Sequence, residues 1–288
     1  MNKLKYNSIS DDYVIGEKIG EGGFGDVYLG MGVKTKEKVA IKKIHITKGD
    51  THKLMSEINY LKQLSLFPNC DRNILCYYDV YVNNDNAFLV TEYINGDNLR
   101  NTFRKLSVKD TINNNLLYIF LLSMLEHLLK SISIVHEHGI VHADIKPSNI
   151  MVRKNKIAND TQYGFSFSET YEPVLIDFGL SCNLKVRESC HKFAGTPIYM
   201  APEVARDEII LPQSDLWSLG MTIYNILYGD PWKSYTEEQI IKSLSTRPTN
   251  FKINTSNKVL NDITNQMLHY DYSKRGTARQ LYNKIFII

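Results

Sequence analysis

Three side chains that could serve one reaction stand together in Val141-His142-Ala143-Asp144-Ile145-Lys146-Pro147-Ser148-Asn149. Asp144 could accept a proton from a hydroxyl, Lys146 could neutralise a transferring phosphate, and Asn149 could lend an amide oxygen to a divalent cation. Taken alone, such a turn reads equally well as Asp and Asn side chains bonding their own backbone. Other segments add matching chemistry. Val174-Leu175-Ile176 is an apolar strand run that delivers a second carboxylate at Asp177, followed by Phe178 and a glycine, Gly179, that lets the peptide turn. Gly20-Glu21-Gly22-Gly23-Phe24-Gly25 places glycines where backbone N–H groups could approach phosphate oxygens. Lys42, in Val39-Ala40-Ile41-Lys42, offers a further cation on a strand.

Elements to hold these groups are legible on either side of them. Val14, Ile15 and Ile19 lead into the glycine-rich turn and Val27-Tyr28-Leu29 leads out as a strand, where a dinucleotide fold would open a helix. The spacing of Leu54, Ile58, Leu61 and Leu64 predicts a helix over 53–66, with Glu57 beside the apolar stripe and able to meet Lys42. A hairpin is expected over Asp79–Tyr93. The pattern gives way to Gly and Asn after Thr91-Glu92-Tyr93-Ile94, which sets a boundary between two lobes at about 92–97. Leu116–His138 predicts a long core helix capped at Gly139, Ile150-Met151-Val152 a strand, and the polar stretch 154–172 an extended surface hairpin or loop.

These segments, in this order, resemble the eukaryotic-type protein kinases. Gly20 to Val27 fits G-x-G-x-x-G-x-V, Val39 to Lys42 fits V-A-I-K, Asp177-Phe178-Gly179 is D-F-G, and Ala201-Pro202-Glu203 is A-P-E. The resemblance runs from about Tyr13 to Phe286. It implies an α+β, bilobal fold: a short extension over 1–12, a β-rich N-lobe over 13–94, and a mostly helical C-lobe over 97–288. It also implies transfer of the γ-phosphoryl of ATP, with Mg2+ or Mn2+, to protein hydroxyls. By resemblance, Ile19, Gly20, Glu21, Gly22, Gly23, Phe24, Gly25, Asp26, Val27 and Ala40 would cover the nucleotide, with Met151 as the floor under the adenine. Glu92 and Ile94 would bond the adenine edge, and Thr91 would guard the space behind it. Lys42, held by Glu57, would take the α- and β-phosphates, Asn149 and Asp177 the metal, Asp144 the substrate proton and Lys146 the γ-phosphate. His142 and Asp215 would brace the catalytic loop, and Arg275 would pair with Glu203 to clamp the activation segment. An ordinary helix N-cap is an alternative role for Asp215. Asp-Ile-Lys-Pro-x-Asn and Thr196 in Gly-Thr-Pro-x-Tyr resemble the serine/threonine branch.

One position departs from the pattern. Ala143 stands where the family usually has an Arg that binds an activation-loop phosphate, so catalysis is expected not to depend on a phosphate at Ser181, Ser189 or a neighbour, with Lys185, Arg187 and Lys192 as the cations that could still bind one. Two other functions fit the same fold: a scaffold that kept the fold without turnover, and a kinase of small molecules. The complete residue set weighs against the first and Gly195 to Glu203 against the second.

Bulk properties narrow the class. With 288 residues, 43% hydrophobic and 23% charged, the chain can bury a real core, and a net charge of +3 gives no reason to expect a nucleic-acid or membrane partner. No stretch is expected to be apolar enough to span a membrane, since Glu126, His127 and Lys130 interrupt 116–135. Cys70, Cys76, Cys182 and Cys190 form no CxxC pair, so reduced thiols and a soluble, intracellular setting are expected.

Overall fold

The computed structural model describes residues 8–22, 25–46, 51–65, 70–83, 85–108, 114–161, 164–246 and 249–286. Residues 1–7 of the expected extension and the Gly23-Phe24 tip of the glycine-rich turn lie outside them. The chain forms two compact units, Met1–Asn95 with Asp177–Gly179, and Gly96–Ile176 with Leu180–Ile288.

The first unit is built on an antiparallel sheet: β1 (Tyr13–Gly22), β2 (Gly25–Gly32), β3 (Lys38–His45), β4 (Tyr77–Val82) and β5 (Asn86–Glu92), in the order β1-β2-β3-β5-β4. Side chains alternate across a strand, so β3 buries Val39 and Ile41 with Tyr81 and Val90 in one cluster. The same alternation sends Ala40 and Lys42 to the opposite face. Helix α1 (Thr51–Ser65) buries Leu54, Ile58, Leu61 and Leu64, and Glu57 next to that stripe is only 5% exposed. Gly25 has φ +134°, and a Cβ there would stand 2.1 Å from the Lys43 carbonyl oxygen. Only glycine lets the turn close this tightly on β3.

The second unit begins with β6 (Gly96–Asn98), α2 (Leu99–Val108), α3 (Asn114–Glu137) and β7 (Ile140–Val141). The loop carrying His142 to Asn149 follows, then a hairpin of β8 (Ile150–Thr161) and β9 (Gly164–Leu175). That hairpin is paired in register from Ile150↔Leu175 to Thr161↔Gly164, so the polar insertion extends a ladder begun by the buried Ile150 and Val152. Strand β10 (Cys182–Asn183) pairs with β7, and helices α4 (Pro202–Asp207), α5 (Pro212–Tyr228), α6 (Glu237–Thr246), α7 (Lys258–Met267) and α8 (Ala278–Lys284) complete the unit. Thr277 caps α8 by accepting from the Gln280 N–H.

Two expectations are corrected. Helix α3 is long enough, and at a mean hydropathy of 1.5 apolar enough, to cross a membrane by length and composition. Its three charged or ionisable interruptions do not lower the average sufficiently. It nevertheless packs as a core helix: Leu121, Met124, Leu125, Leu128, Leu129, Ile132 and Val135 are all buried, against α5, α7 and α8. The second correction concerns the cysteines, which are paired as Cys70–Cys76 and Cys182–Cys190, with Cα separations of 5.7 and 5.2 Å. Sequence separations of 6 and 8 leave just enough chain for a turn to return each Cys to its partner. The cysteine argument for a reducing setting therefore no longer carries weight.

The Cys182–Cys190 link should be worth about 2–3 kcal/mol for a closed loop of this length. Thiol titration in denaturant is expected to find no free thiol until a reductant is added, and the Cys182→Ser/Cys190→Ser variant should melt several degrees lower. Four titratable thiols in the unreduced chain would contradict the pairing.

Candidate active site

In the first unit the Lys42 ammonium lies 2.8 Å from Glu57 Oε1 and 3.5 Å from Asp177 Oδ1. Burial is the largest single influence on this lysine and pulls its pKa down, but the two carboxylates more than offset it, leaving the pKa above the ordinary lysine value. Lys42 is thus held as a cation. Asp177 has φ +64°, a conformation costly for a residue with a Cβ. Its Oδ1 also accepts from the Gly179 N–H at 3.4 Å. Asp177 to Gly179 belongs with the first unit although the sequence on both sides belongs to the second.

Around the glycine-rich turn, Gly20 pairs with Val27 and Glu21 with Asp26. The Lys18 ammonium bridges Glu21 at 2.8 Å and Asp26 at 2.7 Å. Its hydrogen bond holds Asp26 below the usual carboxylate range. Lys18 was not singled out by the sequence, where nothing marks one exposed lysine from another. Ile19 is 44% exposed, while Val27 and Ala40 are half-buried on adjacent strands. Thr91 is 6% exposed on β5, opposite Ala40. Glu92 is fixed by its backbone N–H to Cys76 O and by its carboxylate to Cys76 N, both at 3.0 Å, and Ile94 is buried.

In the second unit the loop after β7 is organised around Asp144, 7% exposed. Its Oδ1 accepts from Thr196 N at 3.1 Å and Thr196 Oγ1 at 2.9 Å. Its Oδ2 accepts from Asn149 Nδ2 at 2.9 Å and lies 2.8 Å from Lys146 Nζ. Lys146 also donates to Thr196 Oγ1 at 2.8 Å. A carboxylate has about four acceptor sites, and all are engaged. Asn149 Nδ2 is further tied to Asp144 O at 3.0 Å, and no described residue donates to Asn149 Oδ1. Met151 is half-buried on β8.

The backbone of this loop is braced from below. Asp215, fully buried on α5, accepts His142 N and Ala143 N at 2.9 and 2.8 Å, and also His136 Nε2 at 2.9 Å. Its carboxylate serves the loop, and it stands inside α5, whose N-cap position is Leu211, so the N-cap alternative is set aside. His142 Nε2 donates to Ile176 O at 3.0 Å, and its Nδ1 accepts the Asp144 N–H at 3.3 Å, which fixes its tautomer. Ala143 adopts φ +67°. Gly195, at φ +103°, passes so close that a Cβ would lie 2.9 Å from Ala143 O. Glu203 and Arg275, both buried, meet through two parallel bonds of 2.7 and 2.9 Å. Neither His136 nor its link to Asp215 was read from the sequence; a His in the last turn of a helix carries no partner-specific signal.

The sequence matches the Protein kinase domain family over residues 13–287. A protein of Acanthamoeba polyphaga mimivirus named as a serine/threonine-protein kinase is 31% identical across 94% of this chain and 62% of its own length. Calcium-dependent protein kinase 8 of Arabidopsis thaliana is 29% identical across 98% of this chain and 50% of its own. Cell division control protein 7 of Schizosaccharomyces pombe is 30% identical across 80% and 19%. The chain thus spans less than two thirds of each relative's length. With the paired lysine and carboxylates in one unit, the braced loop in the other and a match across nearly its whole length, the chain belongs to the protein kinase domain family.

Proposed function

We propose that this chain is the catalytic domain of a serine/threonine protein kinase, moving the γ-phosphoryl of Mg-ATP to a Ser or Thr hydroxyl of a protein substrate. The observation that carries the proposal is the setting of Asp144. A carboxylate of this kind, braced through its backbone and already holding the hydroxyl of Thr196, is suited to take the proton of an alcohol. All four of its acceptor sites are in use, so the substrate hydroxyl enters by displacing one donor. Thr196 Oγ1, an alcohol itself, occupies the kind of position the substrate alcohol needs. Once displaced from Asp144, Lys146 can turn its charge to the γ-phosphate.

Lys42, kept charged by Glu57 and Asp177, would bind the α- and β-phosphates. The residues present fit a divalent cation. Asn149 spends its amide N–H on Asp144 and keeps Oδ1 for a metal, and the Asp177 carboxylate is 27% exposed. A bound Mg2+ would neutralise charge on the phosphates. Hard oxygen donors suit Mg2+ and Mn2+ alike, and either would serve here. The protein-substrate class rests on the Gly195–Glu203 stretch and on the names of the relatives. Incubation with labelled ATP and a generic basic protein, followed by phosphoamino-acid analysis, tests the reading. Phosphoserine or phosphothreonine is expected; label on small metabolites alone would reject it.

Thr91 makes a narrower prediction. Its side chain, buried opposite Ala40, is small, and a methionine in its place would add bulk there. Bulky ATP-competitive inhibitors should act on the natural chain, and Thr91→Met should raise their inhibitory concentrations by about tenfold or more with the ATP KM little changed. Equal sensitivity of the two forms would exclude this role.

A further inference from the structure

The segment after Gly179 is tied down at many points by bonds from its own side chains and backbone. Its hydroxyls are already spent. Ser181 is buried and donates to His142 O at 3.2 Å, and Ser189 donates to Asn183 O and accepts from Asn183 N, each at 2.9 Å. Thr196 donates to Asp144, and the buried Tyr199 donates to Asn225 Oδ1 at 3.3 Å. A phosphate on any of these would have to break the bond that places the residue. A cation supplies the remaining tie: Lys192 Nζ donates to Leu180 O at 2.9 Å and reaches Ser181 O at 3.4 Å. Two residues before Lys192, Cys190 is bonded to Cys182, whose strand pairs with β7 directly ahead of the catalytic loop. Ala143 has no side-chain donor to offer this segment.

We propose that Lys192 is a positioning residue, whose ammonium ties the middle of the activation segment to Leu180 and Ser181 and keeps the segment ordered without phosphorylation. Through the Ser181–His142 bond the order passes to the backbone that carries Asp144. Lys192 touches no reacting atom. Its role rests on the kinase reading above, but the ordering itself can be measured separately.

The experiment uses the full chain, treated with phosphatase and shown by mass to carry no phosphate, beside Lys192→Met and Lys192→Arg. Two readouts are taken, kinase turnover and amide hydrogen exchange over 180–192. The unphosphorylated natural chain should be active and protected in this segment. Lys192→Met, similar in length but without donors, should lose about tenfold in kcat, the size of one charge-assisted hydrogen bond. Its ATP KM should stay within about twofold, its segment should exchange faster, and its melting midpoint should hold. Lys192→Arg should restore both protection and most of kcat. Activity lost on phosphatase treatment, or Lys192→Met as active and as protected as the natural chain, would overturn the proposal. If no form shows turnover, the kinase reading fails. Exchange then decides the ordering: a segment protected only when Lys192 or Arg is present supports it, and an unprotected one in the natural chain refutes it.

Discussion

Asp144→Asn should lower kcat by about 10²- to 10⁴-fold, the range contributed by a positioned general base, while the ATP KM changes little. Asn keeps the size and shape of the side chain but replaces one oxygen with an N–H donor. Both carboxylate oxygens now face donors: Thr196 N and Oγ1 on one side, Asn149 Nδ2 and Lys146 Nζ on the other. An amide therefore accepts at one side and confronts donors at the other, so the variant loses the base and one half of its bracing together. The loss should fall on kcat, because in the proposed reaction Asp144 acts on the incoming alcohol and not on the nucleotide. Single-turnover phosphorylation at saturating ATP, with the melting midpoint as a check on folding, measures it. A folded Asp144→Asn variant within threefold of the natural rate would mean that another group takes the proton.

Much of this network was legible in the sequence because the chemistry prescribes both residue type and spacing. Asp144, Lys146 and Asn149 lie on one short turn, and Asp177 directly follows an apolar strand. Lys42 alternates with the buried Val39 and Ile41, so a strand assignment alone predicts which face it takes. Glu57 was predictable from its place beside a helical stripe once a buried lysine needed a counter-charge. What the sequence hid are contacts closed by tertiary folding. His136 and Asp215 lie 79 residues apart, and no local pattern couples them. Lys192 reaches back over 12 residues to a carbonyl, a partner every residue possesses. The cysteine pairs were missed for a similar reason: separations of 6 and 8 suit a disulfide only after a turn brings the Cα atoms to 5–6 Å. The apolar character of α3 was underestimated because charges were counted singly, whereas burial follows the face on which they lie. Glu126, His127 and Lys130 fall beside the buried positions Leu125, Leu128 and Leu129 rather than among them.

Glu203→Ala should cost about 3–5 kcal/mol, the usual result of stranding one member of a buried ion pair. Arg275 is fully buried, stacked 5.0 Å from the Trp217 ring, and donates to Glu203 and to the carbonyls of His269, Tyr270 and Gln213. Those carbonyls satisfy N–H groups but carry no full charge, so without Glu203 the guanidinium stays in the interior unneutralised. Ser214 Oγ, which donates to Glu203 Oε1 at 2.7 Å, loses its acceptor as well. For a unit of this size the midpoint should fall by on the order of 10 °C. Arg275→Lys should recover little, because an ammonium cannot reproduce two parallel bonds to one carboxylate. The double change Glu203→Met/Arg275→Met removes both charges and keeps much of the volume, so it should be more stable than Glu203→Ala alone. The same ordering should appear in activity. Glu203 lies in the first turn of α4, directly after the stretch that carries Thr196, so releasing it loosens the partner of Asp144. Thermal unfolding of the four forms decides the matter, and a Glu203→Ala midpoint within about 2 °C of the natural chain, below the shift of a single kcal/mol, would show that the pair does not hold this end of the activation segment.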